Sequence, residues 1–292
     1  MADAPPLNSS TLIKRSMLLA AFLCVLKTAA GLLTGSLSIL ASALDSLMDL
    51  FASAVNFVSL AIAREPADHD HQYGHAKAEA LASLFQGAFI TLSGGALLVE
   101  SLRRIYSGSN LEFHYWSVGI MVLSTALSAW HGAALRRAAA VEDSSIMSAE
   151  GAHFLMDVAT NVAVVAALLL VRWTGSNYWD LGLTLVVVAY VLSLSLGIIT
   201  NAVRELMDEG LPPDTRKEVE AIIVSHDPRV VGFHDFRSRR AGNKRYLEFH
   251  IEIRGVKEFE VAHDITEKLV EKIKERIPNS DVLIHYDPEG AR

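Results

Sequence analysis

The chain has 292 residues, enough for one large domain or two modest ones. At 51% hydrophobic and 20% charged it is too apolar to be a disordered chain, and a net charge of −7 argues against a nucleic-acid binder. Its single cysteine, Cys24, excludes an intrachain disulfide framework and a cysteine zinc cluster. Composition is uneven along the chain. From Ser16 to Ala63 the only charged residues are Lys27, Asp45 and Asp49, whereas the chain from Glu209 onward is densely charged.

A bilayer-spanning helix needs about 20 mostly apolar residues. Six such runs follow one another: Leu12–Leu33, Leu37–Ala63, Leu81–Ile105, Tyr115–Leu135, Met147–Val171 and Leu181–Val203. The first is too long for a cleaved signal peptide and leads straight into the second. Six spans put both ends on one side. That side carries Lys14, Arg15, Arg64, Lys77, Arg136, Arg137 and Arg204, against Arg103, Arg104 and Arg172 on the other. The excess predicts cytoplasmic termini.

Beyond the spans the pattern changes. Pro212-Pro213-Asp214 signals a helix start with Asp214 as cap, and the helix is expected to run to about His226. Arg229–Arg239 reads as a strand. Lys244–Arg254 alternates, with Leu247, Phe249, Ile251 and Ile253 on one face and Tyr246, Glu248, His250 and Glu252 on the other. Ala241-Gly242-Asn243 between them is a hairpin signal. A charged amphipathic helix over Glu260–Arg276 and a short strand over Asp281–Tyr286 complete an αββαβ order, that of a small ferredoxin-like α+β domain. The expected division is a six-helix membrane part, 1–208, and a soluble α+β part, 209–292.

Charge inside the spans is the first functional signal. Asp45 and Asp49 are four residues apart on one helix face, and each ionised carboxylate near the bilayer centre costs about 2.5–3.5 kcal/mol. Ser38, Ser42, Ser53 and Asn56 extend that face. In the fifth span His153 and Asp157 repeat the spacing, with Glu150, Thr160 and Asn161 alongside. If the two seams meet, Asp45, Asp49, His153 and Asp157 form a tetrahedron of oxygen and nitrogen suited to a borderline divalent ion such as zinc. Two other readings account for less. Neutralisation of Lys27 would use one carboxylate, and a proton relay would need no metal.

In the loop after the second span, Asp68, His71 and His75 have the spacing of a three-ligand site; a polar loop that binds metal loosely is the alternative. The tail carries His234, His250, His263, His285 and Asp287. His285 and Asp287 share a strand face. Residue by residue, these histidines read better as solvated surface groups, which a small α+β domain can easily carry.

Taken together, Asp-x-x-x-Asp in span two, His-x-x-x-Asp in span five and Pro-Ala-Asp-His-Asp-His-x-Tyr-Gly-His-x-Lys-Ala-Glu in the loop resemble the cation diffusion facilitator family, in particular its bacterial zinc and ferrous-iron efflux pumps. The likeness runs from the first span to Ile284-His285-Tyr286-Asp287-Pro288. It implies a homodimer of six-span protomers, each with a cytoplasmic metallochaperone-like domain, in the bacterial inner membrane. It implies a transport site at Asp45, Asp49, His153 and Asp157, and a loop site at Asp68, His71 and His75. It implies a binuclear tail site at His234, His250, His263, His285 and Asp287, with Asp287 bridging two ions. It also implies a charge interlock between Lys77 and Asp208. Tyr286 stands where close relatives often have Gln. His69, His114, His131 and His226 match no ligand position.

No phosphate-binding Gly-x-x-x-x-Gly-Lys-Ser/Thr loop occurs, which leaves a secondary transporter exchanging a divalent cation (zinc first, then iron(II) and cadmium) for protons. A manganese- or cobalt-preferring exporter, a membrane-anchored metal sensor and an intramembrane metallohydrolase are the rivals. The last lacks His-Glu-x-x-His and a general base. No enzymatic activity and no nucleotide are expected.

Overall fold

The computed structural model describes residues 9–34, 37–107, 115–176 and 178–290. His114 lies outside them, as do the side chains of Asp45, Ser38 and Ser42, whose backbone is helical. The chain forms two compact units, Met1–Val203 and Arg204–Arg292.

Six long helices stand where the apolar runs are expected: α1 Ser9–Thr34, α2 Leu37–Ala63, α3 Ala78–Ser107, α4 Tyr115–Glu142, α5 Ser145–Thr174 and α6 Tyr178–Leu206. Among the described residues four stretches are long and apolar enough to cross a bilayer: Ser46–Ala63, Ala78–Arg103, Ser145–Thr174 and Leu181–Leu206. Local chemistry sets the helix ends. Ser144 caps α5 by accepting the Met147 N–H, and it donates to Glu79 of α3 at 2.6 Å. Gly175, at φ 74°, closes α5 with its N–H on the Val171 carbonyl, a left-handed position that suits glycine. Leu18, Val25, Leu92, Val99 and Val186 point outward, as a lipid-facing surface requires. Two apolar clusters hold the bundle. One gathers Leu12, Leu60, Ala82, Leu135, Met147 and Phe154, and the other Ile90, Met156, Val187 and Val191.

The soluble unit contains α7 Pro213–Val224, β1 Val230–Ala241, β2 Lys244–Ile253, α8 Phe259–Arg276 and β3 Ser280–Pro288, in the expected αββαβ order. The helix α7 starts two residues earlier than a cap at Asp214 would allow. Pro213 has the preset φ of a first helical residue, so Pro212 takes the cap position and Asp214 falls in the first turn, where its charge meets the helix dipole. The sheet runs β1-β2-β3, with β1 and β2 antiparallel across the hairpin and β2 and β3 parallel through the α8 crossover. Leu247, Phe249, Ile251 and Ile253 pack on Ile265, Leu269 and Ile273 of α8 and on Val219 and Ile223 of α7. The opposite sheet face is left for polar groups.

Candidate metal sites

In the membrane unit, α2 and α5 bring their polar seams together. His153 Nε2 lies 3.2 Å from Asp49 Oδ1 and 4.0 Å from Asp157 Oδ2. One donor atom from each of these residues lies within 4.8 Å of the other two. A zinc ion about 2.1 Å from each of four tetrahedral ligands needs donor atoms about 3.4 Å apart, so modest closure would bring these three donors to ligand spacing. His153 is 1% exposed, and among the described residues neither ring nitrogen makes a hydrogen bond of good geometry. Buried imidazole nitrogens without partners are rare unless something else satisfies them. The rings of Phe89 and Phe154 flank it, with centroids 6.1 and 5.9 Å away. Asp45 precedes Asp49 by one helical turn, and its side chain is outside the description. Lys27 Nζ donates to Ser46 Oγ at 2.8 Å, while Asp49 faces His153, which speaks against the neutralisation reading for Asp49.

The loop between α2 and α3 folds around Asp68. Its Oδ1 accepts the N–H groups of His71 at 2.6 Å and Asp70 at 3.0 Å, an Asx turn. The His71 N–H holds the Asp68 carboxyl below the ordinary carboxylate range, with the Asp70 N–H and the two imidazoles adding to the effect. His71 Nδ1 and His75 Nε2 each lie 3.4 Å from an Asp68 oxygen and 3.1 Å from each other. Gly74, at φ 80°, turns the chain between the two histidines.

In the soluble unit the ligands come from register. His234, His250 and His285 are direct cross-strand partners, one on each strand. One row further, Glu252 pairs with Asp287. Asp287 Oδ2 lies 2.9 Å from His250 Nδ1 and 3.4 Å from His234 Nε2, while Oδ1 lies 3.2 Å from His285 Nε2. One carboxylate thus faces histidines on both sides. The His250 contact holds the Asp287 carboxyl below its ordinary range, and His285 and His234 lower it further. A bulge between His234 and Arg237, with Asp235 at φ 50°, locally bends β1 beside His234.

The donor atoms of His234, His250 and Asp287 converge within 4.8 Å, and His263 is not part of that group. It stands on α8 with its ring stacked on Phe259. Glu252, 3.9 Å from His234 Nε2, was not expected as a neighbour of the site. The alternation that put it on the face of His250 was the available signal. Of the histidines matching no ligand position, His131 is buried and hydrogen-bonded to Ser16 Oγ at 2.8 Å, and His226 contacts the Ile265 carbonyl at 2.9 Å. Asp208 accepts from Arg239 at 3.4 Å, and Lys77 lies just ahead of α3.

A helical membrane bundle with a carboxylate–imidazole cluster inside it, a second in a loop and a third on a soluble sheet defines a multi-pass carrier of divalent cations. Residues 13–207 match the cation efflux transmembrane domain, and residues 211–289 match the cytoplasmic domain of cation efflux proteins. The chain belongs to the cation efflux family, whose members are transporters and not enzymes. It is 36% identical over 276 residues to the cation-efflux pump FieF of Shewanella oneidensis, covering 94% of this chain and 92% of that one. It is 34% identical over 270 residues to the pump of the same name from Yersinia pestis, covering 92% and 89%. The metal-bound C-terminal domain of the CzcD transporter from Thermotoga maritima is 32% identical, covering 26% of this chain and 90% of that one with a TM-score of 0.25.

Proposed function

We propose that this divalent-cation efflux transporter exports zinc, with iron(II) and cadmium as further cargo, in exchange for protons. It works as a homodimer in the inner membrane with both termini cytoplasmic. Asp45, Asp49, His153 and Asp157 are its transport site. The observation that carries this reading is the buried His153, whose Nε2 faces two carboxylates from two helices. Cation and protons compete for the same lone pairs, so an acidic outer side favours release and the cytoplasm favours loading.

Residues 1–208 are the transport part and 209–292 the regulatory part. The donor chemistry on the sheet fits zinc: His234 and His250 supply imidazole, and Asp287 supplies oxygens on two sides. His285 and His263 complete the binuclear set, and occupancy there favours one arrangement of the two protomers. Asp68, His71 and His75 form the loop site, and Lys77 with Asp208 forms the interlock.

The test is zinc flux into proteoliposomes under an imposed pH gradient, for the native chain and for Asp157→Ala. Flux should follow the gradient and fall to the level of empty vesicles in the variant. Flux indifferent to the gradient would exclude exchange. No flux of any divalent metal would leave a membrane-anchored sensor.

A further inference from the structure

On the side of the bundle from which the 64–77 loop leaves, four buried polar side chains meet within a turn or two of the transport site. Ser53 Oγ donates to Glu150 Oε1 at 2.6 Å, and Asn56 Nδ2 donates to Glu150 Oε2. The same amide donates to Gln86 Oε1 at 3.1 Å. Ser53 and Asn56 follow Asp49 on α2, Glu150 precedes His153 on α5, and Gln86 comes from α3. Ser53 is 1% exposed and the other three are fully buried. Asp49 and Asp157, by contrast, keep 26% and 24% of their side-chain surface. Two of the carboxylate ligands are partly open, while His153 and the polar neighbours toward the loop are sealed.

We propose that Glu150 is the gating residue of the loop-side path: its hydrogen bonds to Ser53 and Asn56 latch α5 to α2 and keep the transport site closed on that side. This rests on the transport reading above, in which the cation enters from the loop side. Hydrogen bonds made away from water are stronger than the same bonds in water. Parting α2 from α5 on this side breaks both at once. Nor is the network saturated. Among the described residues Asn56 Oδ1 and Gln86 Nε2 are buried without a hydrogen-bond partner. The closed arrangement therefore carries a cost that opening to water relieves, as a two-state element requires.

The experiment uses the full chain in nanodiscs, with Cys24→Ser and a reporter Met147→Cys. Met147 is fully buried in the apolar cluster on the latch side. Its reaction with a water-soluble maleimide is compared among Glu150, Glu150→Gln and Glu150→Ala. Glu150→Ala should label at least about tenfold faster, as the loss of two buried hydrogen bonds implies. Glu150→Gln, which keeps an acceptor for Ser53, should fall between. A control reporter, Ile90→Cys in the other apolar cluster, should stay protected throughout. Where Glu150→Ala does not fold, Ser53→Ala should move the rate in the same direction by a smaller factor. An unchanged Met147→Cys rate, or an equal acceleration at Ile90→Cys, would overturn the latch. If the native chain moves no metal while Glu150→Ala still labels faster, the transport reading fails and only the α2–α5 latch stands.

Discussion

At the scale of single residues, carboxylates are set apart by what donates to them. Asp68 is held ionised mainly by backbone N–H groups, so the loop keeps its turn whether or not the side chain is charged. Asp68→Asn retains the accepting oxygen and removes the charge. It should weaken metal binding in the loop by about tenfold or more, with the circular dichroism spectrum unchanged. A changed spectrum would make Asp68 a structural residue. Asp287 presents a different balance, because its carboxyl is lowered chiefly by His250. A depressed carboxyl stabilises the fold above its unfolded value near about 3.9 and loses that contribution as pH falls through the folded value. Between about pH 6 and about pH 7.5 Asp287 is therefore ionised throughout, and metal binding displaces whatever protons its other ligands carry. Asp287→Asn should weaken zinc binding by a similar factor at both pH values, measured by competition with a chromophoric chelator. His250→Ala should flatten the pH dependence. A pH slope lost in Asp287→Asn alone would contradict this assignment.

At the scale of elements, close packing and register do the positioning. A Cβ on Gly87 of α3 would sit 2.7 Å from Ile199 Cγ1 on α6. Gly87→Val should therefore destabilise this helix pair by about 1–3 kcal/mol, seen as a lower melting temperature in detergent. An unchanged melting temperature would mean that α3 and α6 can move apart freely. In the soluble unit Leu269 is fully buried against the sheet face opposite the histidines. Leu269→Ala should cost about 2–5 kcal/mol and weaken metal binding only as the fold is lost. Register matters more than distance here. A one-residue slip of β2 would send His250 into the core and Phe249 to the polar face.

For the whole molecule, assembly is the remaining variable. If Lys77 and Asp208 interlock the protomers, Lys77→Glu should shift the dimer toward monomer in sedimentation experiments, and adding Asp208→Lys should restore it. Failure of the double variant to recover would remove the interlock. By itself the sequence determined the apolar runs, the αββαβ order, and which residues bear metal-binding chemistry. These are written in periodicities of two to four residues, which neighbours along the chain enforce. Only the tertiary structure decided which of those groups meet. Ser53 finds Glu150 across 97 residues, His234 reaches Asp287 through two strand pairings and a bulge, and His263 is carried onto a helix outside the convergent group. Such meetings depend on how helices pack and strands align, and those follow from the burial of whole faces rather than from spacing along the chain.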